Sequence, residues 1–324
     1  MPTTRNPRYG SMQFWPRSQT KRTVARIRNW QGDDSKVLGF QGYKAGMTHI
    51  MITDNKKTSL TKGEEIFCPV TVIECPPLKV AGIRFYKNSA YGSVAVSDVY
   101  SGNLDKELAR KITLPKKKTK TADDIKEFDD LRLIVYSQPK LTPLGRKKPD
   151  MFEIGLGGKK EDKLKHAKDL LGKEISVKDV FKEGQQVDIN GITRAKGLQG
   201  PVRRFGVSLR HHKSEKVRRG PGSLGGWKGQ GHTMYRVAHA GRMGFHQRTE
   251  YNKWLMKIGN EPKEINPNGG FVHYGLVNNP YILIKGSVPG IVKRTVILTF
   301  PRRETTKIPS EAPAITYISL ESKQ

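Results

Sequence analysis

The sequence predicts a mainly β protein: an all-β barrel interrupted once by an α/β insert, with long cationic segments that belong to neither. Three observations carry this reading. Alternating, β-branched runs recur towards both ends of the chain, strands interleave with charged helical runs in the middle, and two stretches poor in acid carry most of the excess positive charge.

A basic arm occupies residues 1–35. Strand-like runs follow at "KVLGFQGYKAGMTHIMITD" (36–54) and "EIFCPVTVIECPP" (65–77), which make the first barrel segment over 36–77. Over 78–184 the pattern changes. Strands "VAGIRFYKN", "LRLIVYS" and "FEIGLGG" alternate with the charged runs "NLDKELARKI" and "KEDKLKHAKDLLG", as expected of an inserted α/β or α+β domain. "QQVDINGITR" returns to the barrel at 185–194, and 195–250 forms a glycine-rich basic extension. The last barrel segment, 251–324, holds "NKWLMKIG", "PYILIKGSVPG", "KRTVILTF" and "ITYISL", separated by Gly and Pro turns.

Composition narrows the function. The 324 residues include 59 Lys and Arg against 30 Asp and Glu, a net charge of +29, and only 35% are hydrophobic. So much self-repulsion calls for a polyanionic partner. Residues 1–32 carry seven Lys or Arg and no acid; residues 191–260 carry fifteen and two acids, Glu215 and Glu250, with thirteen Gly and five of the eight His. The stretch 101–184, by contrast, balances 21 basic with 15 acidic residues, an ordinary soluble surface. No basic amphipathic helix with a continuous apolar face favours a membrane, no run approaches the length of a membrane span, and the first residues lack the apolar core of a signal peptide, so a cytoplasmic protein is expected. Cys68 and Cys75, without a nearby His, are expected to be buried free thiols.

The extension contains a literal G-x-G-x-x-G at 220–225, but no hydrophobic strand precedes it, no helical pattern follows, and the next acid is Glu250. A dinucleotide site needs all three. No G-x-x-x-x-G-K-[ST] loop occurs either. What the extension offers instead is Phe205, Trp227, Tyr235, Met243, Phe245 and Tyr251 interleaved with cations and glycines. Aromatic faces stack on unpaired bases, Lys and Arg neutralise phosphates, and glycine lets the backbone approach closely, a combination suited to folded RNA.

"GITRAKGLQGPVRRFGV" followed by "GSLGGWKGQGHTMYRVAHAGRMGFHQRTEYNK" resembles the signature of the universal L-three family of large-subunit ribosomal proteins. "PRYGSMQFWPR" in the arm, "GYKAGMTHI" at 42–50, "GGFVHYG" at 269–275 and "KGSVPG" at 285–290 extend the likeness over nearly the whole length. The long insert and basic arm are similar to the archaeal and eukaryotic branch. The resemblance implies a six-stranded barrel of the type shared with translation factors, an inserted domain, and irregular N-terminal and central extensions reaching into rRNA. It implies a role in early subunit assembly and in shaping the peptidyl transferase centre, with Trp227 at the tip of the central extension. It also implies neighbours from the L-fourteen and L-twenty-four-e families. One departure lies at the tip: many relatives have His or Asn and then Pro after the tryptophan, where this chain has Lys228, Gly229 and Gln230.

The residues expected to contact rRNA are Arg5, Arg8, Arg17, Lys21, Arg22, Arg26 and Arg28 in the arm and Lys44 in the first barrel strand. The extension adds Arg194, Lys196, Arg203, Arg204, Arg210, His211, His212 and Lys213, then Arg218, Arg219, Trp227, Lys228, His232, Arg236 and Arg242. Where the chain returns to the barrel, His246, Gln247, Arg248 and Lys253 follow, with Glu250 expected to orient a neighbouring Arg. No cofactor, metal, small-molecule substrate or catalytic residue is expected, because no H-E-x-x-H pattern, cofactor loop or partnered acid accompanies the histidines. The rival classes are an rRNA-modifying enzyme or an assembly factor, and a chromatin-type DNA binder, which would want a recognition helix.

Overall fold

Alternation at period two turns successive side chains to opposite faces of a strand, and most of the β-branched runs become strands that bury both faces. The computed structural model describes residues 8–32, 34–115, 121–125, 127–214, 217–226 and 231–322. In chain order its elements are β1 (Gly39–Thr53), β2 (Glu65–Glu74), β3 (Leu78–Ser89), β4 (Gly92–Tyr100), β5 (Asp130–Tyr136), β6 (Met151–Gly155), α1 (Lys160–Leu170) and β7 (Glu174–Ile175). They continue with β8 (Gln186–Ile192), β9 (Gly197–Gln199), α2 (Pro201–Phe205), β10 (Gly241–Met243), β11 (Gln247–Gly259), β12 (Tyr281–Lys285), β13 (Thr295–Thr299) and β14 (Ile315–Ile318). The protein is mainly β, with few helices.

The chain divides into two units. Unit 1 is Met1–Arg22 with Ile192–Gln247, and unit 2 is Thr23–Gly191 with Arg248–Gln324. Unit 2 is built on two sheets. The seven-stranded sheet has the order β13-β8-β11-β12-β2-β1-β14, with a further antiparallel pairing of β13 to β1. The five-stranded sheet runs β4-β3-β5-β6, with β7 on β3. Ile282 and Ile284 of β12 join a cluster with Phe40, Ile73, Phe85, Leu133 and Leu298 that draws on both sheets. Tyr281 and Leu283, one position out of phase, pack instead with Tyr43, Val70, Val72, Trp254 and Met256. That two-sided burial explains why "YILI" reads as an unbroken apolar run.

The charged run "NLDKELARKI" does not form the helix expected of it. A single 3-10 turn, Lys106–Arg110, stands there, with Leu108 as its one buried residue. Asp105, which could have capped a longer helix, accepts from Lys79 Nζ (3.1 Å) and Tyr136 Oη (2.9 Å) instead. The second run does form a helix, α1. Cys68 and Cys75 are buried and free, and burial pushes the Cys75 thiol up.

The "GGFVHYG" motif owes its order to a buried carboxylate. Glu74, at the end of β2, accepts from the Asn278 and Asn279 backbone N–H groups (both 2.9 Å), from Asn279 Nδ2 (2.7 Å) and from the Tyr274 hydroxyl. Four donors converging on one carboxylate make its burial tolerable.

Candidate nucleic-acid interface

Unit 1 is assembled from the arm and the extension around one aromatic residue. α2 starts at Pro201, whose missing N–H and fixed φ suit a first helical position, and ends at Gly206 in the left-handed region (φ 73°). Its last residue, Phe205, is 7% exposed. Trp15 stacks on it (centroids 5.9 Å, planes 17° apart), and Tyr235 meets Trp15 edge-on at 5.7 Å. The guanidiniums of Arg17 and Arg204 lie 4.6 and 4.9 Å from the Phe205 ring centre. Gly10 crosses over the same ring so closely that a Cβ there would lie 2.5 Å from Phe205 Cδ1.

The arm is then tied by its backbone to the foot of the extension. Thr20 N–H donates to the Phe245 carbonyl (3.0 Å), Gln19 Nε2 to the Gly244 carbonyl (3.3 Å), and His246 Nδ1 lies 2.8 Å from the Ser18 carbonyl. Arg8 Nη2 donates to the Arg236 carbonyl at 2.6 Å. Thr193 exchanges backbone hydrogen bonds with Phe245 and His246. Gly244 makes that crossing possible: its φ is +79°, and a Cβ would be driven into the Arg194 carbonyl.

On this scaffold sits the charge. β9 and β10 form a short antiparallel ribbon, Gly241 opposite Gln199 and Met243 opposite Gly197. Arg194, Lys196 and Arg203 line a polar recess beside it, and Arg242 projects from β10. Of the residues expected to meet rRNA, those exposed in unit 1 are Arg8, Lys21, Arg22, Arg194, Lys196, Arg203, Arg210, His211, His212, Lys213, Arg218, Arg219, His232, Arg236 and Arg242. Arg17, Arg204 and Gln247 are half-buried and His246 is buried. The His211 and His212 rings lie 4.1 Å apart, tilted by 40°. Among the described residues no group of His, Cys, Asp and Glu is arranged to hold a metal ion.

In unit 2, Arg26 and Arg28 are exposed, while Arg248 and Lys253 are half-buried. Lys44 is turned inward: it is buried, and its ammonium donates to the Val288 carbonyl at 2.6 Å. Burial lowers its pKa, which nearby Glu250 partly restores. Such a lysine serves the fold more than a phosphate.

Two expectations need correcting. Glu250 pairs with Lys253 at 2.7 Å rather than standing only beside an arginine; Asn252 between them has a positive φ (52°), which breaks the strand alternation that would otherwise turn the two apart. Phe205 is no free stacking face, since Trp15, Arg17 and Gly10 already cover it. Arg5, Trp227 and Lys228 lie outside the described residues. What the sequence reading passed over is the role of Trp15 and the half-exposed Tyr9. The signal was there in the aromatic density of "PRYGSMQFWPR", but nothing local says that its partners sit near residues 205 and 235.

The family model described as "Ribosomal protein L3" matches residues 1–324 of the chain. The chain is 46% identical over 330 residues to a protein of Methanobrevibacter smithii named "Large ribosomal subunit protein uL3", with 98% of each covered. It is similarly 45% identical over 328 residues to the protein of that name from Methanocaldococcus jannaschii (98% and 97% covered). For the Archaeoglobus fulgidus protein of the same name the figure is 46% over 331 residues, with 98% of each covered.

Proposed function

Because the chain belongs to the ribosomal protein L3 family, we propose that it is a structural constituent of the large ribosomal subunit, in the cytoplasm, and binds large-subunit rRNA through unit 1. It is no enzyme, in keeping with relatives named as ribosomal proteins. The observation that carries this reading is the segregation of charge: the fifteen exposed Arg, Lys and His side chains named above stand on a unit whose one acid is Glu215. A phosphate backbone neutralises such a surface and gains by releasing its counterions.

In this reading the pairings β1-β2-β12-β11-β8-β13 and back to β1 make a six-stranded barrel of the type shared with translation factors, with the five-stranded sheet as its inserted domain. The arm and the extension follow rRNA inward. The segment around Trp227 is the tip that shapes the peptidyl transferase centre, and the chemistry of peptide transfer belongs to the RNA. Early binding supports subunit assembly, beside neighbours of the L-fourteen and L-twenty-four-e families.

The test is a salt titration of rRNA binding. If half of the fifteen Lys and Arg in 191–260 meet phosphates, log K falls with log salt at a slope of roughly −5 to −7. Replacing Arg194, Lys196, Arg203 and Arg242 together with Gln makes the slope shallower by about 3–4. Replacing the exposed Lys147, Lys165, Lys178 and Lys182 of unit 2 leaves it unchanged. Equal losses from both sets would reject unit 1 as the RNA-binding surface.

A further inference from the structure

The neighbouring strands β2, β1 and β14 of unit 2 present an outer face unlike the rest of the chain. Although 59 of 324 residues are Lys or Arg, these three strands contain one, Lys44, and it is buried. Their outward side chains are apolar instead. Phe67 is 61% exposed, Tyr317 49% and Met47 41%. The register brings them together, with Met51 opposite Phe67 on one side and Tyr317 on the other. The His49 ring lies 4.9 Å from that of Phe67. Beside Met47 the face deepens into a recess walled by Phe271, Val272 and Val292. The exposed charged group on the strands themselves is an acid, Glu65 on β2, two residues from Phe67, and a second acid, Glu321, stands at the rim of the recess; the exposed lysines Lys57 and Lys62 lie off the face in the β1–β2 connection.

A face whose strands carry exposed aromatics, no exposed cation and a carboxylate at either end is a poor ground for a phosphate backbone and suits a protein. We propose that the β2-β1-β14 face docks a segment of a basic partner protein. That segment lays one or two apolar side chains over Phe67 and into the recess beside Met47, and sets Lys or Arg against Glu65 and Glu321. The acids match a cationic partner, and the bare apolar area gives it a desolvated centre. The assignment rests on the reading that the chain works inside an RNA–protein particle, where proteins of strong positive charge lie side by side.

The test uses the full-length chain with Phe67→p-benzoylphenylalanine, assembled into purified large subunits. Co-sedimentation comes first. A chain that fails to enter subunits overturns the functional reading and this proposal with it. In subunits that contain it, irradiation is expected to join position 67 to a second protein, at a peptide with an apolar residue within three positions of Lys or Arg. Adding Glu65→Lys and Glu321→Lys is expected to lower that yield by about fivefold or more, the scale of one or two partly exposed ion pairs. A cross-link to rRNA or to another copy of the chain would overturn docking while leaving the functional reading intact. So would none at all where the same group at Tyr235 reacts, or a yield indifferent to the charge reversals.

Discussion

Unit 2 holds 42 Lys and Arg against 29 acids; unit 1 holds 17 against Glu215 alone. The first pairs many of its charges internally and spreads its excess over a much longer stretch of chain. Arg84 bridges Asp98 and Glu153, both at 2.6 Å, and Lys257 meets Glu264 at 2.6 Å, over continuous apolar clusters. The second has no comparable supply of carboxylates, and among its described residues the buried hydrophobic side chains of the core are Ile192 and Phe205. One chain therefore contains a body rich in internal ion pairs and a body whose positive charge has almost no carboxylate of its own to meet. The lesson is that unit 1 uses carbonyls and aromatic faces for its own cohesion and leaves most of its charged side chains exposed.

The sharpest test of this contrast lies in unit 2. Glu74→Ala leaves four donors buried without their acceptor, a loss of about 3–5 kcal/mol, or about 6–20 °C in its calorimetric midpoint. Amide exchange at Thr20 and Phe245 in unit 1 should stay as it was. A shift under about 2 °C, below the smallest expected for 1 kcal/mol, would show that the loop after β11 does not depend on Glu74.

Unit 1 is expected to fail at Phe205. Phe205→Ala removes the ring that Trp15, Arg17 and Gly10 share, at about 2–4 kcal/mol, so the amides of Thr20 and Phe245 should exchange roughly 30- to 700-fold faster. The melting of unit 2 should not move. Unchanged exchange would mean that the arm is held by its backbone hydrogen bonds alone.

The smallest effect separates the units by pH. Burial pushes the Glu153 carboxyl up, but the Tyr86 hydroxyl and the Arg84 and Arg132 guanidiniums outweigh it and hold the group below its usual range. Asp105 is likewise held down, against burial, by Lys79 and Tyr136. Groups with depressed folded values contribute above their unfolded pKa, near 4, and lose that contribution as the pH falls through the folded value. Unit 2 should therefore lose stability as the pH falls from the unfolded carboxylate range, near 4, through the lower folded values. Unit 1, almost without carboxylates, should show flat exchange protection over that window, and a parallel loss there would break the contrast.

Much of unit 2 was legible because its signals are local. The run 65–77 became β2 at Glu65–Glu74, and 36–54 became β1 at Gly39–Thr53. β4 escaped notice: Val94 and Val96 alternate as a strand should, but face solvent at a sheet edge, so the period has no core to point to. The charges of unit 1 were equally plain in the sequence. Their scaffold was not, because Ser18 meets His246 and Trp15 meets Phe205 across roughly two hundred residues that no periodicity spans. Lys44 could not be told from its exposed counterparts, since the carbonyl it serves, Val288, lies 244 positions away.

The tie between Thr20 and Phe245 also sets an order of events during synthesis. Residues 8–22 leave the ribosome that makes them long before the segment that fastens them. At about 5–20 residues per second the wait is about 10–50 s. Throughout it, a run of arginines and lysines is presented to every nucleic acid in the surroundings without the clasp that later orients it. The partners that give residues 18–20 their backbone order thus arrive only when the segment around residue 245 has been made.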